Sequence, residues 1–467
     1  MQEARAILST GLTLFLLILT GKLFANEFPD SLVYETVSIH TDAGGINTCN
    51  NINEFFPESR QQLVKLVKHA KQSGKKIILT GAKHSMAGQV TCHKGDQDKQ
   101  YLLLSLEKMP VKSSLDGQYL TVSAQVTWDE LINILKQDNS GPALAPGVMQ
   151  DFSVFTIGGS MSANAMGRDP RFGPMIDSIK SFTLLKADGE VMECSRTHNS
   201  RCFEAVIGGH GAFGVILEAT ILLVPDVAIQ LRNYQHSNSE YAVYLKTQVS
   251  QSKELDKHYG LLEFGTGELL VNIHEYYEVA DKGQPLQPSR ANKTKNSAVA
   301  DQTTRREYLH HHRFSFKWGG PNQSSQLLSV AVPLHHYEEF SEAIPDLVTG
   351  SSGLKFHEIT TKYIQNQQAK NMLQLITQDS IVFVFVIENR KAIQSDLDLF
   401  KKRLYRLTQS VGGKPYLAFD LPKDTDWLID AYPRAKEWLA LKQEFDPNMT
   451  FYSQFFHNFK RQISPGG

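Results

Sequence analysis

Residues Leu79 to Gln89 read LTGAKHSMAGQ. The apolar run Ile77-Ile78-Leu79 meets a glycine at position 81, a Lys-His-Ser triplet follows, and a second glycine stands at position 88. This pattern predicts a strand over Lys76 to Thr80 and a turn that carries His84 at its tip. Two further glycine segments occur before residue 225: Gly158-Gly159-Ser160-Met161-Ser162-Ala163-Asn164 and Gly208-Gly209-His210-Gly211-Ala212-Phe213-Gly214. Each adjoins an expected strand or helix. Successive N–H groups in turn conformations form nests that hold phosphate, and glycine lets a backbone approach closely. Three such loops point to a phosphate-bearing cofactor.

The third loop matches GxGxxG as Gly209-His210-Gly211-Ala212-Phe213-Gly214. A dinucleotide fingerprint of that form needs a strand before it and a helix after it. Here an expected helix over Ser200 to Ile207 precedes it and a strand over Val215 to Val224 follows. Nicotinamide binding by that route is excluded, and a flavin diphosphate held by loops is the reading kept.

The bulk numbers agree with a small-molecule enzyme. A chain of 467 residues predicts two domains. With 48 Lys plus Arg against 49 Asp plus Glu and a formal charge of -1, there is no basic footprint for nucleic acid or an anionic membrane. Ile7 to Thr20 is an apolar run too short to span a bilayer comfortably, and it is followed by Leu23-Phe24-Ala25. It reads as a secretory signal ending near Ala25, with an uncleaved anchor as the other possibility. Either predicts export. The four cysteines, Cys49, Cys92, Cys194 and Cys202, then allow three disulfide connectivities or buried free thiols, with Cys194 and Cys202 close enough in sequence to pair. None has the spacing of a zinc site.

Pro57 to Gly74 predicts a helix with Leu63, Val64, Val67 and Ala70 inward, stopped by Gly74. Thr127-Trp128-Asp129-Glu130 reads as a capping box and Asp188-Gly189 as a hairpin turn. Lys282 to Arg306 is polar and predicts a mobile loop. Ser329 to Pro333 and Ile381 to Ile387 read as buried strands, and Ser395 to Ser410 as a helix. His310-His311-His312 projects in differing directions and is read as a surface or domain-edge cluster rather than a metal site. Trp318, Glu358 and Glu388 are read as core or solvated residues, outside any site.

The ordered segments TGAKHSMAGQ, QDFSVFTIGGSMSANAMGRDPRFG and LLKADGEVMECSRTHNSRCFEAVIGGHGAFGVI resemble the FAD-binding domain of the vanillyl-alcohol oxidase superfamily, over about Phe56 to Pro225. The resemblance implies an α+β fold: a two-subdomain PCMH-type FAD-binding domain and an α+β substrate domain with an antiparallel sheet. The expected division is a signal peptide over 1–25, the FAD domain over 26–225, the substrate domain over 226–411, and a C-terminal segment over 412–467 that returns to the FAD domain.

By position, the resemblance implies that His84 bonds covalently to FAD and that Asp151 is the catalytic base. It places Gly81, Ala82, Lys83, Ser85, Gly88, Gln89, Asp151, Thr156, Gly158, Gly159, Ser162, Met166, Val215, Ile216 and Tyr416 at the cofactor. The loop is closest to cytokinin dehydrogenases, which usually have a glycine where Lys83 stands. The stretch from Gly412 to Gln454, with Tyr432-Pro433-Arg434 and Phe445-Asp446-Pro447, is closest to decaprenylphosphoryl-ribose oxidases. Their substrate-side lysine is Phe419 here. The expectation is an exported FAD-linked oxidase or dehydrogenase of a small alcohol or polyol-like substrate, passing electrons to oxygen or another acceptor. An amine dehydrogenase acting on a cytokinin-like substrate and a non-catalytic FAD-binding protein are the other readings.

Overall fold

The computed structural model describes residues 32–93, 100–138, 141–264, 268–279, 302–311, 324–351, 353–389, 394–423 and 425–464. The expected signal segment and Trp318 lie outside them. The fold is mixed α+β, built on three sheets.

The first sheet holds β1 (Tyr34–Thr41), β2 (Thr48–Phe55), β3 (Lys76–Thr80) and β4 (Tyr101–Ser105) in the order β1-β2-β4-β3. The β2/β4 and β3/β4 pairs are parallel, so a helix must carry the chain back across the sheet. Helix Arg60–Gln72 does so. Ser59 caps it by accepting a hydrogen bond from Gln62 N at 3.2 Å, and Gly74 ends it in the left-handed region at φ +70°. Its buried face is Leu63, Leu66, Val67 and Ala70. Leu66 therefore takes the inward place expected for Val64, because a 3.6-residue turn puts residue 66 beside residues 63 and 70.

The second sheet holds β5 (Ser113–Asp116), β6 (Tyr119–Ser123), β7 (Leu144–Pro146), β8 (Ile179–Leu185), β9 (Val191–Ser195) and β10 (Val215–Pro225). The long β10 is its spine, flanked by β6 and β8, with β7 paired to its far end. Gly189, at φ +82°, turns β8 into β9, and Lys186 N donates to Glu190 O at 2.9 Å. The capping box at Thr127 is complete: its hydroxyl accepts from Glu130 N and the Glu130 carboxylate accepts from Thr127 N.

The third sheet is antiparallel throughout: β11 (Ala228–Ser237), β12 (Leu255–Glu263), β13 (Leu270–Glu278), β14 (Gln302–Thr304), β15 (Ser324–Pro333), β16 (Phe356–Ile364), β17 (Ser380–Asn389) and β18 (Lys414–Pro415). Its order is β14-β11-β13-β12-β16-β17-β15-β18. The end of the segment read as a loop over Lys282 to Arg306 is ordered instead, forming β14 and the first turn of helix Arg305–His311. Arg305 is buried against Asp256 and Glu278, and Arg171 joins the same carboxylates, so charge pairing holds this sheet against the chain that follows helix Ile157–Ser162. Residues 280–301 lie outside the described residues.

The C-terminal segment runs back beside β3. Ile77 N donates to Thr450 O at 2.6 Å and Tyr452 N to Ile77 O at 3.0 Å. Trp438, fully buried, packs edge-on to Phe213 and donates from its indole nitrogen to Ala205 O at 3.0 Å. Both expected types of cysteine use resolve to one: Cys49 pairs with Cys92 and Cys194 with Cys202, leaving no free thiol. Among the described residues, no helix is long and apolar enough to cross a membrane, and no group of three His, Cys, Asp or Glu is arranged to hold a metal. His310 faces Asp129 at 3.1 Å, whereas His312 lies outside the described residues.

Candidate functional site

A cavity of about 540 Å³ opens where the three sheets and the C-terminal segment meet. That volume is in the range of small-molecule and cofactor sites. Every residue expected at the cofactor lines it except one: Gly81, Ala82, Lys83, His84, Ser85, Gln89, Asp151, Thr156, Gly158, Gly159, Ser162, Met166, Val215, Ile216 and Tyr416. Gly88 does not. Its φ is +83°, and an added Cβ would stand 3.0 Å from the Gln454 side chain, so this glycine serves the packing of the loop on helix Gln454–Ile463.

The walls are made by backbone brought close. A Cβ on Gly81 would stand 2.6 Å from Thr156 Oγ1. A Cβ on Gly158 would stand 3.2 Å from the Cβ and carbonyl oxygen of Ala124, to which Gly158 N already donates at 2.8 Å. Thr156 caps helix Ile157–Ser162, accepting from Gly159 N at 3.2 Å. The third glycine loop stacks on that helix, with Gly208 N donating to Met161 O at 2.9 Å and His210 N to Ser162 O at 3.0 Å. As the sequence indicates, a helix precedes this loop and a strand follows it. His210 is buried in the cavity wall, and burial pushes its pKa down to about 3, so it is neutral.

Lys83 stands where the resemblance implies a glycine. Its φ is +59°, a left-handed conformation that costs an ordinary L-residue roughly 1–2 kcal/mol. The side chain turns to the buried carboxylate of Glu54, with Nζ 2.8 Å from Oε2. Thr80 Oγ1 donates to the other oxygen at 3.1 Å. His84, next along, sits edge-on to Phe155 with ring centroids 5.0 Å apart. Burial lowers its pKa and outweighs the opposing effect of the Ala82 backbone, which favours a neutral imidazole. Gln89 fixes the end of the loop, accepting from Ala87 N at 2.9 Å and donating to Ala418 O at 3.0 Å.

At the third sheet the cavity turns ionic. Asp151 lies between Arg168, at 2.8 Å from Nε, and Lys362, at 2.5 Å from Nζ. Arg168 stacks on the Tyr259 ring at 3.8 Å. Burial works against the Arg168 charge, and Asp151 together with Tyr308 and Tyr259 more than offsets it, so the guanidinium stays charged. Burial lowers the Lys362 pKa despite Asp151, and burial raises that of Glu358. Arg168 lay within the quoted GRDPRFG stretch but was not read as a site residue. Lys362 gave no sequence signal, and Glu358, read as solvated, is a lining residue. Glu388, by contrast, pairs with Lys355 at 3.5 Å. Phe419 lines the cavity against Tyr416, whose hydroxyl donates to Ala163 O at 2.9 Å.

The FAD binding domain family model matches residues 54–195, which include the first two glycine loops and the hairpin. The chain carries an FAD-binding domain over these residues. FAD is its cofactor, and the residues around the cavity fit that group. Glycine backbone lies where side chains would collide, and the buried Ser329 hydroxyl on the lining has no hydrogen-bond partner among the described residues. Cytokinin dehydrogenase 1 of Arabidopsis thaliana is 29% identical to the chain over 238 residues, 49% of this chain and 40% of the plant protein. Cytokinin dehydrogenase 3 of Oryza sativa subsp. japonica is 32% identical over 148 residues, covering 32% of this chain and 27% of that protein. The chain thus matches less than half the length of these plant enzymes. An uncharacterised oxidoreductase of the fasciation locus of Rhodococcoides fascians is 22% identical over 445 residues, 89% of this chain and 96% of that protein. The FAD-binding domain and these relatives make the class that of an FAD-linked oxidoreductase.

Proposed function

We propose that the protein is an exported FAD-dependent oxidoreductase that oxidises a small alcohol, with His84 bonded covalently to the cofactor. The observation that carries this reading is the cavity itself, whose lining joins the glycine loops to a polar group of Asp151, Arg168 and Lys362. FAD supplies the two-electron acceptor when bound. The chain's own residues supply the rest. Gly81, Gly158 and Gly159 give the close backbone approach, and neutral His84 is the nucleophile for the tether. Asp151 is the proton acceptor for the substrate hydroxyl, and Arg168 and Lys362 hold its carboxylate in place from two sides. Electrons then pass to oxygen or another acceptor.

Export is supported by the leader-like N-terminus and by the pairing of all four cysteines, which suits an oxidising compartment. The test of function is anaerobic mixing of the purified protein with alcohols, sugars, lactones and amines while the flavin absorbance is followed. Bleaching by alcohols is the expected result. Bleaching by amines alone would move the protein to the cytokinin dehydrogenase reaction, and no bleaching by any of the four classes would overturn the catalytic reading.

A further inference from the structure

The sheet wall of the cavity is sorted by chemistry along its strands. Alternate residues of a strand share a face, and β16 turns Glu358, Thr360 and Lys362 to the cavity. Directly opposite them on β17 stand Val386, Val384 and Val382. On β15, Leu327 faces Val386 and extends the aliphatic patch. Neighbouring strands lie about 4.8 Å apart, so one small molecule spans a polar column and an aliphatic column together.

The charges of the polar column select what it accepts. Arg168 and Lys362 are two basic groups around the carboxylate of Asp151, and burial opposes the charge of Lys362 as it does that of Glu358. Glu358, the next lining group on β16, is held toward its neutral form by burial. A protonated amine would bring a further positive charge against these basic groups. A carboxylate or phosphate would meet Asp151 at close range. A neutral hydroxyl suits both partners, accepting a hydrogen bond from the Lys362 ammonium and donating its own hydrogen to Asp151. Lys362 has three N–H donors and uses its side chain on Asp151 alone among the described residues. A polyol would meet Val382, Val384, Val386 and Leu327 along its length and leave hydroxyls unpaired against them, beyond those that Ser325 and Ser329 on β15 satisfy.

We propose that the substrate is a neutral alcohol with an apolar body, its reacting hydroxyl bridging the Lys362–Asp151 pair from the cavity side and its hydrocarbon laid along Val382, Val384, Val386 and Leu327. Lys362 is thereby the residue that selects a hydroxyl over an amine, and the valine column selects against polyols. This rests on the alcohol-oxidising reading above and narrows it.

The test is direct binding to the flavin-containing protein, measured anaerobically by calorimetry. Tertiary alcohols carry the hydroxyl and no hydrogen on the carbinol carbon, so they bind without being oxidised. Cumyl alcohol is expected to bind at least about tenfold more tightly than cumylamine or xylitol, since a hydrogen bond to a charged group is worth about 1.5–3 kcal/mol. Each methylene laid on the valine column adds about fourfold, from roughly 0.8 kcal/mol per CH₂, so tert-amyl alcohol should exceed tert-butanol by that factor. Lys362→Met should remove the preference for alcohol over amine. Val384→Ser should reduce the methylene increment and keep that preference, which leaves a second arm if the lysine variant does not fold. Equal or tighter binding of cumylamine or xylitol by the wild-type protein would overturn the inference. Flavin content is read on the same samples, and a folded protein that carries and takes up no flavin would overturn the functional reading instead.

Discussion

Adding one carbon at Gly81 tests whether the cavity wall is made by close backbone packing. In Gly81→Ala the new Cβ would stand 2.6 Å from Thr156 Oγ1, inside the 3.0 Å that real contacts essentially never breach. The Thr156 hydroxyl must turn away, and it then gives up the bond that caps helix Ile157–Ser162. Loss of such a cap costs about 1 kcal/mol, and forcing a carbon into a filled space adds roughly 1–2 kcal/mol. The single variant should therefore lose about 2–3 kcal/mol. Thr156→Ala alone should lose about 1 kcal/mol. In the double variant the nearest Thr156 atom that conflicts is gone, because the remaining Cβ is 3.7 Å away, an ordinary contact. The pair should then cost about 1 kcal/mol instead of the roughly 3–4 kcal/mol of a simple sum, a coupling of about 2–3 kcal/mol. Urea unfolding followed by tryptophan fluorescence measures all four corners of the cycle, with flavin absorbance recorded on the same samples. Costs that add to within about 0.5 kcal/mol would refute the reasoning, since Thr156 would then not be what Gly81 makes room for.

Two further outcomes follow from the covalent and titratable groups. The Cys49–Cys92 bridge closes a separation of 43 residues and Cys194–Cys202 one of 8, so chain entropy gives losses of about 4 and about 2.5 kcal/mol for the Cys92→Ser and Cys202→Ser variants; urea midpoints in the reverse order would contradict the assignment. His210 is held by burial at about 3 against an ordinary value of 6.5, so its neutral form contributes stability above about pH 6.5 that is lost as pH falls toward 3. The His210→Asn variant, whose side chain tolerates the left-handed φ of +51°, should show a stability–pH slope flatter by about 1.4 kcal/mol per pH unit in that window, and an unchanged slope would mean that His210 is not buried and neutral.

The glycine loops were legible because their signal is local. A strand that stops, a glycine and a polar triplet lie within eleven residues, and the same segments that suggested a cofactor now line one cavity. The polar group of the lining was not legible. Lys362 stands 211 residues from Asp151, in a strand whose alternation reads as well for a solvated lysine as for a cavity lysine. Only the pairing of β16 with β12 and β17 turns it toward the site. Cysteine connectivity was legible in part: Cys194 and Cys202 are close enough in sequence to pair, whereas β2 and the end of the His84 loop, which carry the other bridge, meet only in the folded chain. Lys83 is the intermediate case: the missing glycine was visible in the sequence, and the positive φ that strains a lysine there and the Glu54 partner that holds its side chain needed the structure. Gly88 shows a related ambiguity, because a glycine at a close approach reads the same whether the neighbour is a ligand or helix Gln454–Ile463.

The most direct test of the account is acid precipitation of the purified protein with the colour of pellet and supernatant compared. FAD bonded to His84 predicts a yellow pellet from the wild type, and a yellow supernatant from His84→Ala, which keeps the cavity but lacks the tether. Flavin released into the supernatant by the wild type would contradict the covalent bond, and a folded, colourless protein that takes up no FAD would contradict the reading of the cavity as a flavin site.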